Sequence, residues 1–594
     1  MVEVAPLYEM TKQLSLVAMG QIKADLVIKG GKLVNVNTKE IIPNVDVAIT
    51  GGRIALVGDA SHTIGEKTEV IDASGYYITP GFMDGHIHVE SSMLTVSQYS
   101  KTVVPRGTTT IYMDPHEIAN VLGIDGVKLM IDEGKNVPLR VYVAFPSCVP
   151  AAPGFEDAGA VITPEDIKEA MKWEEVAGLG EMMNFPGVVY GDENVHAEIS
   201  ETLKAKKCVT GHFSLPETGK MLNAYIASGC RSCHESVRAE DSLQKMRLGM
   251  YAKLREGSAW HDLKEVVKAI TENRVSSRFA ILISDDTHPD TLINQGHLDH
   301  IVKRAIQEGV DPITAIEMVT INVAECFHMG MDFGSVSPGK IADILLISDL
   351  TNVVVEMVFI GGKLVAENGK MKVSTPQITY PEWSKNTVKL AEKLTPAHFR
   401  IEAEGEKRKV RVMEIEEAKV GTKHVIKELP VRDGFLALDP SDDIAKVALF
   451  ERHKKTGTKG LGFVSGFDLK KGAVASTVAH DSHNLLIVGV NDEDMALAGN
   501  ELAKAGGGMI AVLDGKVIAL LSLPIAGLLT DSPVEEVEEK VKKLDLAWKQ
   551  LGCDLISPFM TMALLGLPVL PELRITNRGL VDTVNFKFVD VFAD

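Results

Sequence analysis

At 594 residues the chain is too long for a single hydrophobic core, so about three domains are expected. With 45% hydrophobic and 24% charged residues it has the composition of a folded globular protein, which excludes a largely disordered one. The net charge of -19, with acids and bases interspersed, disfavours a polyanion such as nucleic acid as partner.

The first 24 residues read as a short amphipathic helix and a strand start; with Glu9 and Lys12 and no long apolar run, they are not a secretory signal. From Ala24 to Ile78 short strands alternate with Gly-Gly turns, as in Ile28-Lys-Gly-Gly-Lys-Leu-Val and Gly51-Gly-Arg-Ile-Ala-Leu-Val-Gly. Gly-Gly between alternating apolar runs is hairpin chemistry. The same texture returns from Gly334 to Gly369, where "FIGGKLVA" echoes the earlier "IKGGKLVN". One small β-sandwich built from both flanks accounts for this better than two thin units, each short of core.

Between the flanks, apolar strand-like runs end near His86, Asp114, Phe145, Glu181, His212, His234, Leu254 and Asp285. The gaps between those ends each suit one strand plus one return helix. Eight such units in roughly 250 residues fit a (β/α)8 barrel. A doubly wound sheet is disfavoured because no phosphate-binding glycine loop follows the first strand.

After a connector rich in Pro and Lys, residues 400–428 are charged with alternating apolar positions. Strand-like Asn484–Val490 and helical Asp494–Lys504 and Val534–Leu551 then suggest a separate α/β or α+β domain. The expected division is 1–79 and 334–379 for the sandwich, 80–333 for the TIM-like metal-dependent hydrolase barrel, and 380–594 for the last domain. The most apolar stretch, Val517–Leu529, is too short to span a bilayer and reads as buried sheet or helix. Six sparse cysteines do not form a disulfide framework, which fits a reducing cytoplasm.

In such a barrel the strand carboxyl ends converge on one mouth. His86 and His88, two apart at the end of an extended run, point the same way and can share one divalent metal. The other strand ends supply Glu181, His212, His234 and Asp285. Together they make a first shell for two divalent cations: His86, His88 and Asp285 on one, His212 and His234 on the other, and Glu181 bridging. Water between two cations is acidified to hydroxide near neutral pH, and Asp285 is placed to take its proton and pass it on. Cys230-Arg-Ser-Cys233-His234 matches a haem-attachment pattern, but without an export signal its cysteines read as small buried hydrophobes. His480 and His483, in a separate domain and with no third ligand beside them, read as structural or substrate-facing.

With these residues in view, the chain resembles the amidohydrolase superfamily and, within it, the prokaryotic adenine deaminases. The matching stretches are "PGFMDGHIHVESSM" (80–93), "GTTTIYMDPHEIANVLG" (107–123), "GLGEMMNFPGV" (178–188), "GHFSL", "SCHES" and "ISDDTHP". H-x-H alone marks only the superfamily, whereas "DPHEIANVLG" and "GLGEMMNFPGV" are far more specific. The family's six ligand positions fall on the six residues above. The resemblance implies hydrolysis of adenine to hypoxanthine and ammonia at a binuclear site of manganese or ferrous iron, with zinc also compatible. Attack at C6 of adenine would need a proton delivered to ring N1, for which Glu117 and Glu235 are both candidates. Ser91, Ser92, His116, Asp286 and His288 fall on mouth loops and are candidates to read the purine edge.

Two other functions compete. A ring-opening cyclic amidohydrolase of the hydantoinase or dihydroorotase kind would bridge its metals with a carboxylated lysine, where this chain offers Glu181. A non-catalytic assembly protein on the same fold would be expected to have lost ligands. The expected partner is a small purine base, with no nucleic acid and no membrane, and the apolar last domain suggests a homo-oligomer, a dimer or larger.

Overall fold

The structure, a computed structural model, describes residues 4–416, 421–439 and 442–593. Part of the alternating stretch over 400–428 and both chain ends lie outside them.

Its centre is an eight-stranded parallel sheet made of β1 (Phe82–Ile87), β2 (Thr108–Met113), β3 (Arg140–Phe145), β4 (Val176–Met182), β5 (Cys208–Gly211), β6 (Cys230–Cys233), β7 (Tyr251–Arg255) and β8 (Ala280–Ile283). Each strand pairs with its neighbour in sequence. The sheet closes where Ile87 bridges Asp285, through Asp285 N–H to His86 O (3.0 Å) and His88 N–H to Asp285 O (2.9 Å). Strands such as Thr108–Met113 are buried at every position, as parallel strands covered on both faces must be. Helices return the chain between strands. Residues Leu298–Gln307 form one because Leu298, Ile301, Val302 and Ala305 recur at helical spacing and all turn inward. Pro164–Ala170 starts on a capping box, with Thr163 Oγ1 accepting from Asp166 N–H and Asp166 accepting from Thr163 N–H.

The two flanks meet in one nine-stranded sheet. Its seam is the antiparallel pairing of Tyr77–Pro80 with Ile344–Asp349, in register Pro80 to Ile344 and Tyr77 to Ile347. Leu26, Ile28, Val47 and Ile49 share an apolar cluster with Ile344, Leu346 and Phe359 across that seam. The amino-terminal helix Leu7–Ala18 buries Met10, Leu14 and Val17 against this sheet. Beneath the barrel, buried Arg140 grips Asp343 through Nε (2.7 Å) and Nη2 (3.1 Å), and Asp343 also accepts from Gly361 N–H (2.7 Å).

The last third holds a second nine-stranded sheet, mostly antiparallel, and a three-stranded one over Leu573–Val589. Helices Asp492–Lys504 and Val534–Leu551 lie where the sequence pattern puts them. Val517–Leu529 is a strand followed by a buried turn. This unit sits over the barrel mouth. Thr530 pairs by backbone with Met93 and Thr95, Arg578 forks onto Asp157 (2.6 and 2.9 Å), and Asn484 reaches Asp157 O (2.8 Å). Among the described residues no helix is long and apolar enough to cross a membrane.

Removing one member of a buried ion pair leaves the other charge desolvated and unmatched. Arg140→Ala should therefore destabilise the fold by about 3–5 kcal/mol, read as a lower denaturant midpoint in unfolding followed by tryptophan fluorescence. An unchanged midpoint would mean the clamp does not join barrel and flanking sheet.

Candidate active site

The barrel mouth collects the strand-end residues because β1, β4, β5, β6 and β8 all finish there. His86 and His88 bracket the closing bridge; Asp285 lies two residues past the end of β8 and holds φ +65°, a left-handed backbone that costs energy for any residue but glycine. Asp84 pins this seam from below. Its carboxylate accepts from His86 N–H (3.2 Å) and Ser284 Oγ (2.5 Å), and His297 Nε2 lies 3.1 Å away.

Six side chains interlock above it. Glu181 Oε1 lies 3.3 Å from His88 Nε2, while Oε2 lies 2.5 Å from His212 Nδ1 and 3.0 Å from His234 Nε2. Asp285 Oδ1 lies 3.1 Å from His86 Nε2 and 3.3 Å from His88 Nε2. The donor atoms of His86, His88 and Glu181, of His86, His234 and Asp285, and of Glu181, His212 and His234 each fall within 4.8 Å of one another. Glu181 thus faces both groups of imidazoles.

The donor set fits a pair of divalent cations on its own chemistry. Nδ1 of His88 donates to Asp114 O (2.9 Å), which turns Nε2 toward Glu181 and Asp285, the two carboxylates that, against burial, raise His88 well above the usual imidazole range. His86 Nε2 has no hydrogen-bond partner among the described residues. Burial opposes ionisation of both carboxylates, yet the surrounding imidazoles, led by His234, hold Glu181 and Asp285 well below the usual carboxylate range. Burial beside His234 pushes His86 down to about 4, so it is a neutral donor. Gly180 is required here: a side chain there would strike the Asp114 carboxylate, whose Oδ2 accepts from Glu181 N–H (2.6 Å).

The candidate acids part company. Glu117, in the first turn of helix His116–Gly134, is buried beside Glu90, and both effects push its carboxyl up to about 8. Glu235 is buried too, but Arg255 at 2.7 Å, with His212 and His234, takes it down to about 2. Both line the cavity. Arg255, at the end of β7, also holds Asp285 Oδ2 (2.8 Å) and Asp262 (2.7 Å). The sequence reading placed the end of β7 at Leu254 and missed this arginine; an isolated basic residue closing an apolar strand was its only signal.

The other expected contacts divide. Ser91, His116 and Asp286 line the cavity. Ser91 Oγ bonds His88 O (2.7 Å) and accepts from Thr287 N–H (3.0 Å); Gly257 leaves room for the Asp286 carboxylate, where a Cβ would come within 2.1 Å. Ser92 departs from expectation: it is fully buried outside the cavity, and its hydroxyl is used within its own turn on Val89 O (2.6 Å) and Leu94 N–H (3.2 Å). His288 lines an adjoining cavity of about 270 Å³. Cys230 and Cys233 are free and buried.

The site cavity, about 140 Å³, is roofed by the last domain through His480, Asp481, Met560, Leu564, Leu567, Val569 and Leu570. His480 Nδ1 stands 3.5 Å from Glu117 Oε1. Apart from His480, which reads from sequence as structural or substrate-facing, these residues carry no signal as site components, because their partners at the mouth lie far away in the chain.

A closed parallel barrel with histidines and carboxylates at its strand ends defines a metal-dependent hydrolase, and the family model described as "Amidohydrolase family" matches residues 77–365. A second, "Adenine deaminase C-terminal domain", matches residues 419–587. Adenine deaminases of Clostridium botulinum (strain 657 / Type Ba4) and Moorella thermoacetica are 62% and 60% identical to the chain, each over 99% of it and 98% and 99% of their own lengths. Adenine deaminase 3 of Rhizobium meliloti is 46% identical over 99% of both. The chain belongs to the adenine deaminase family of amidohydrolases. Among solved structures, a β-aspartyl dipeptidase of Fervidobacterium islandicum AW-1 aligns over 59% of this chain and 98% of its own with a TM-score of 0.45 and 15% identity.

Glu181→Gln removes the charge and replaces one of two oxygens, each facing a different group of imidazoles, with an amide nitrogen that cannot donate a lone pair. The variant should purify with less than half the wild-type content of divalent metal, measured by elemental analysis; full occupancy would remove Glu181 from the bridging position.

Proposed function

We propose that the chain hydrolyses adenine to hypoxanthine and ammonia, using two divalent cations held by His86, His88, Glu181, His212, His234 and Asp285. The observation that carries this is the convergence of those six side chains at the barrel mouth, five of them lining a cavity that also holds one neutral and one ionised carboxyl, on a chain 60–62% identical to adenine deaminases along its whole length. Bound there, the cations would acidify a water molecule and so supply a nucleophile at neutral pH. Manganese or ferrous iron suits this mixed set of imidazoles and carboxylates.

The chain's own groups account for the proton traffic. Asp285, ionised and steadied by Arg255, takes the proton of the attacking water and delivers it to the departing amine. Ring N1 gains basicity as C6 becomes tetrahedral. It needs a neutral carboxyl beside it, and Glu117 meets that need where Glu235, tied to Arg255, does not. Met183, Trp260 and the leucines of the roof give the base apolar walls.

A ring-opening activity is disfavoured by the position of Lys172, which lies on the surface 2.5 Å from Glu169 rather than at the mouth. An assembly role without catalysis is disfavoured by the full ligand set. We further infer a homo-oligomer, supported by exposed Val584, Phe586 and Phe588 on the terminal hairpin, and a cytoplasmic location, supported by six buried cysteines, all free.

Metal-loaded protein offered adenine, adenosine, cytosine and dihydroorotate should release ammonia from adenine alone; ring opening, or no turnover with metal bound, sinks the proposal. Asp285→Asn should bind metal but lose about 10²–10⁴-fold in kcat, and a near-normal rate would end its role as shuttle. A carboxyl that must be protonated works below its pKa and stops as pH rises through it. The alkaline limb of kcat/KM should therefore fall at or below about 8, since neighbouring cations draw Glu117 downward from that value. Glu117→Gln should abolish that limb along with most of the rate, and an unchanged profile would assign it elsewhere.

A further inference from the structure

Beyond the six proposed ligands, Glu117 and the Arg255–Glu235 pair, the cavity holds His116, Asp286, His480 and Asp481, and of these Asp481 is the carboxyl contributed by the last domain. Asp481 lies in the connection between strands Ala473–Ser476 and Leu485–Gly489 of the last domain, only 2% exposed and facing the barrel site. Its Oδ1 is 3.8 Å from both His116 Nε2 and His480 Nδ1, beyond hydrogen-bond reach, and Oδ2 has no hydrogen bond among the described residues. A buried carboxylate oxygen left without a donor is costly. The nearby guanidiniums do not relieve it. Arg255 is shared among Asp285, Glu235 and Asp262, and Arg452 beneath the loop is used by His483 O, Thr387 Oγ1 (2.9 Å) and Ala526 O (3.0 Å).

The loop is not free to turn this carboxylate away. His480 N–H bonds Ala563 O (3.1 Å), Ala479 N–H bonds His483 Nδ1 (3.1 Å), Ser482 O meets His453 Nε2 (2.8 Å), and Asn484 reaches across to Asp157 O in the barrel. Asp481 is therefore an acceptor held in place and aimed at whatever fills the cavity. A ligand that fills the cavity can satisfy it by bringing a hydrogen-bond donor.

On the adenine reading, two positions on the base are already served. N1 faces Glu117, and the amine belongs to the reacting end, where Asp285 and its neighbour Asp286 stand. What remains on a free purine is the N–H of its imidazole ring, which an N9-substituted nucleoside lacks. We infer that the carboxylate of Asp481 accepts a hydrogen bond from the imidazole-ring N–H of the free base, so that the carboxyl-terminal domain selects bases over their nucleosides. This rests on the adenine reading and adds to it a residue outside the barrel.

The test compares adenine with its oxazolopyrimidine isostere, in which ring oxygen replaces N9–H at the same shape, in metal-loaded wild type, Asp481→Ala and Asp481→Asn. Wild type should favour adenine by about 100-fold in kcat/KM, the upper end of what a hydrogen bond to a charged acceptor contributes, because the analogue has no N–H to give. Asp481→Ala should bring adenine down to the level of the isostere, mainly through KM and with metal content intact, and Asp481→Asn, which keeps an acceptor oxygen, should recover part of the difference. A preference for adenine that survives in Asp481→Ala, or is missing from wild type, overturns the inference while leaving the deaminase reading standing. Absence of ammonia from adenine in wild type overturns both. Should the variants fail to fold, a crystal of wild type with hypoxanthine decides: Asp481 Oδ2 within 3.2 Å of a ring nitrogen supports the assignment, and a greater separation removes it.

Discussion

Two carboxylates stay ionised at the bottom of a buried cavity, and the rest of the molecule is arranged to permit it. Glu181 and Asp285 are almost wholly buried, where a lone carboxylate would take up a proton. Four imidazoles and Arg255 surround them instead. Those groups reach one point only because six barrel strands end there, and the strands end in step because the barrel closes through the backbone of Asp285 itself. Closure and chemistry share one residue. The left-handed backbone at Asp285 is the strain that this sharing imposes, held in place by the bonds to His86 and His88 on either side.

Much of this was legible in the sequence. Apolar runs marked the eight strand ends closely, and six of those ends fall at His, Asp or Glu, where a largely apolar buried strand gives way to the polar mouth. The H-x-H spacing reported which way two side chains point, and echoing Gly-Gly turns related the two flanks of the insertion. What stayed hidden was pairing at long range. Asp84 and Asp114 look like ordinary acids beside strands, and only their bonds to His86 N–H and Glu181 N–H show them bracing the site. His480 was seen and set aside because its neighbours in sequence offer no site; its neighbours in space do. Ser92 shows the reverse error: position on a mouth loop did not tell that its hydroxyl closes a turn.

The separation of Glu117 from Glu235 shows how one cavity keeps two carboxyls in opposite states. Both are buried, so burial alone would raise both. Another acid, Glu90, stands beside the first and a guanidinium beside the second. Sequence position put the two on an equal footing, and a single neighbouring charge for each decides between them.

The seam between Tyr77–Pro80 and Ile344–Asp349 bears on how the protein is made. A ribosome delivers the first of these strands long before the second, and at about 5–20 residues per second the wait is roughly 13–50 s. Throughout it the nascent sheet has an open edge, and the strand leading into the barrel lacks the neighbour that will hold it. The flanking sheet is therefore finished after the barrel has been synthesised, and Tyr77–Pro80 stays open to holdase chaperones throughout that interval.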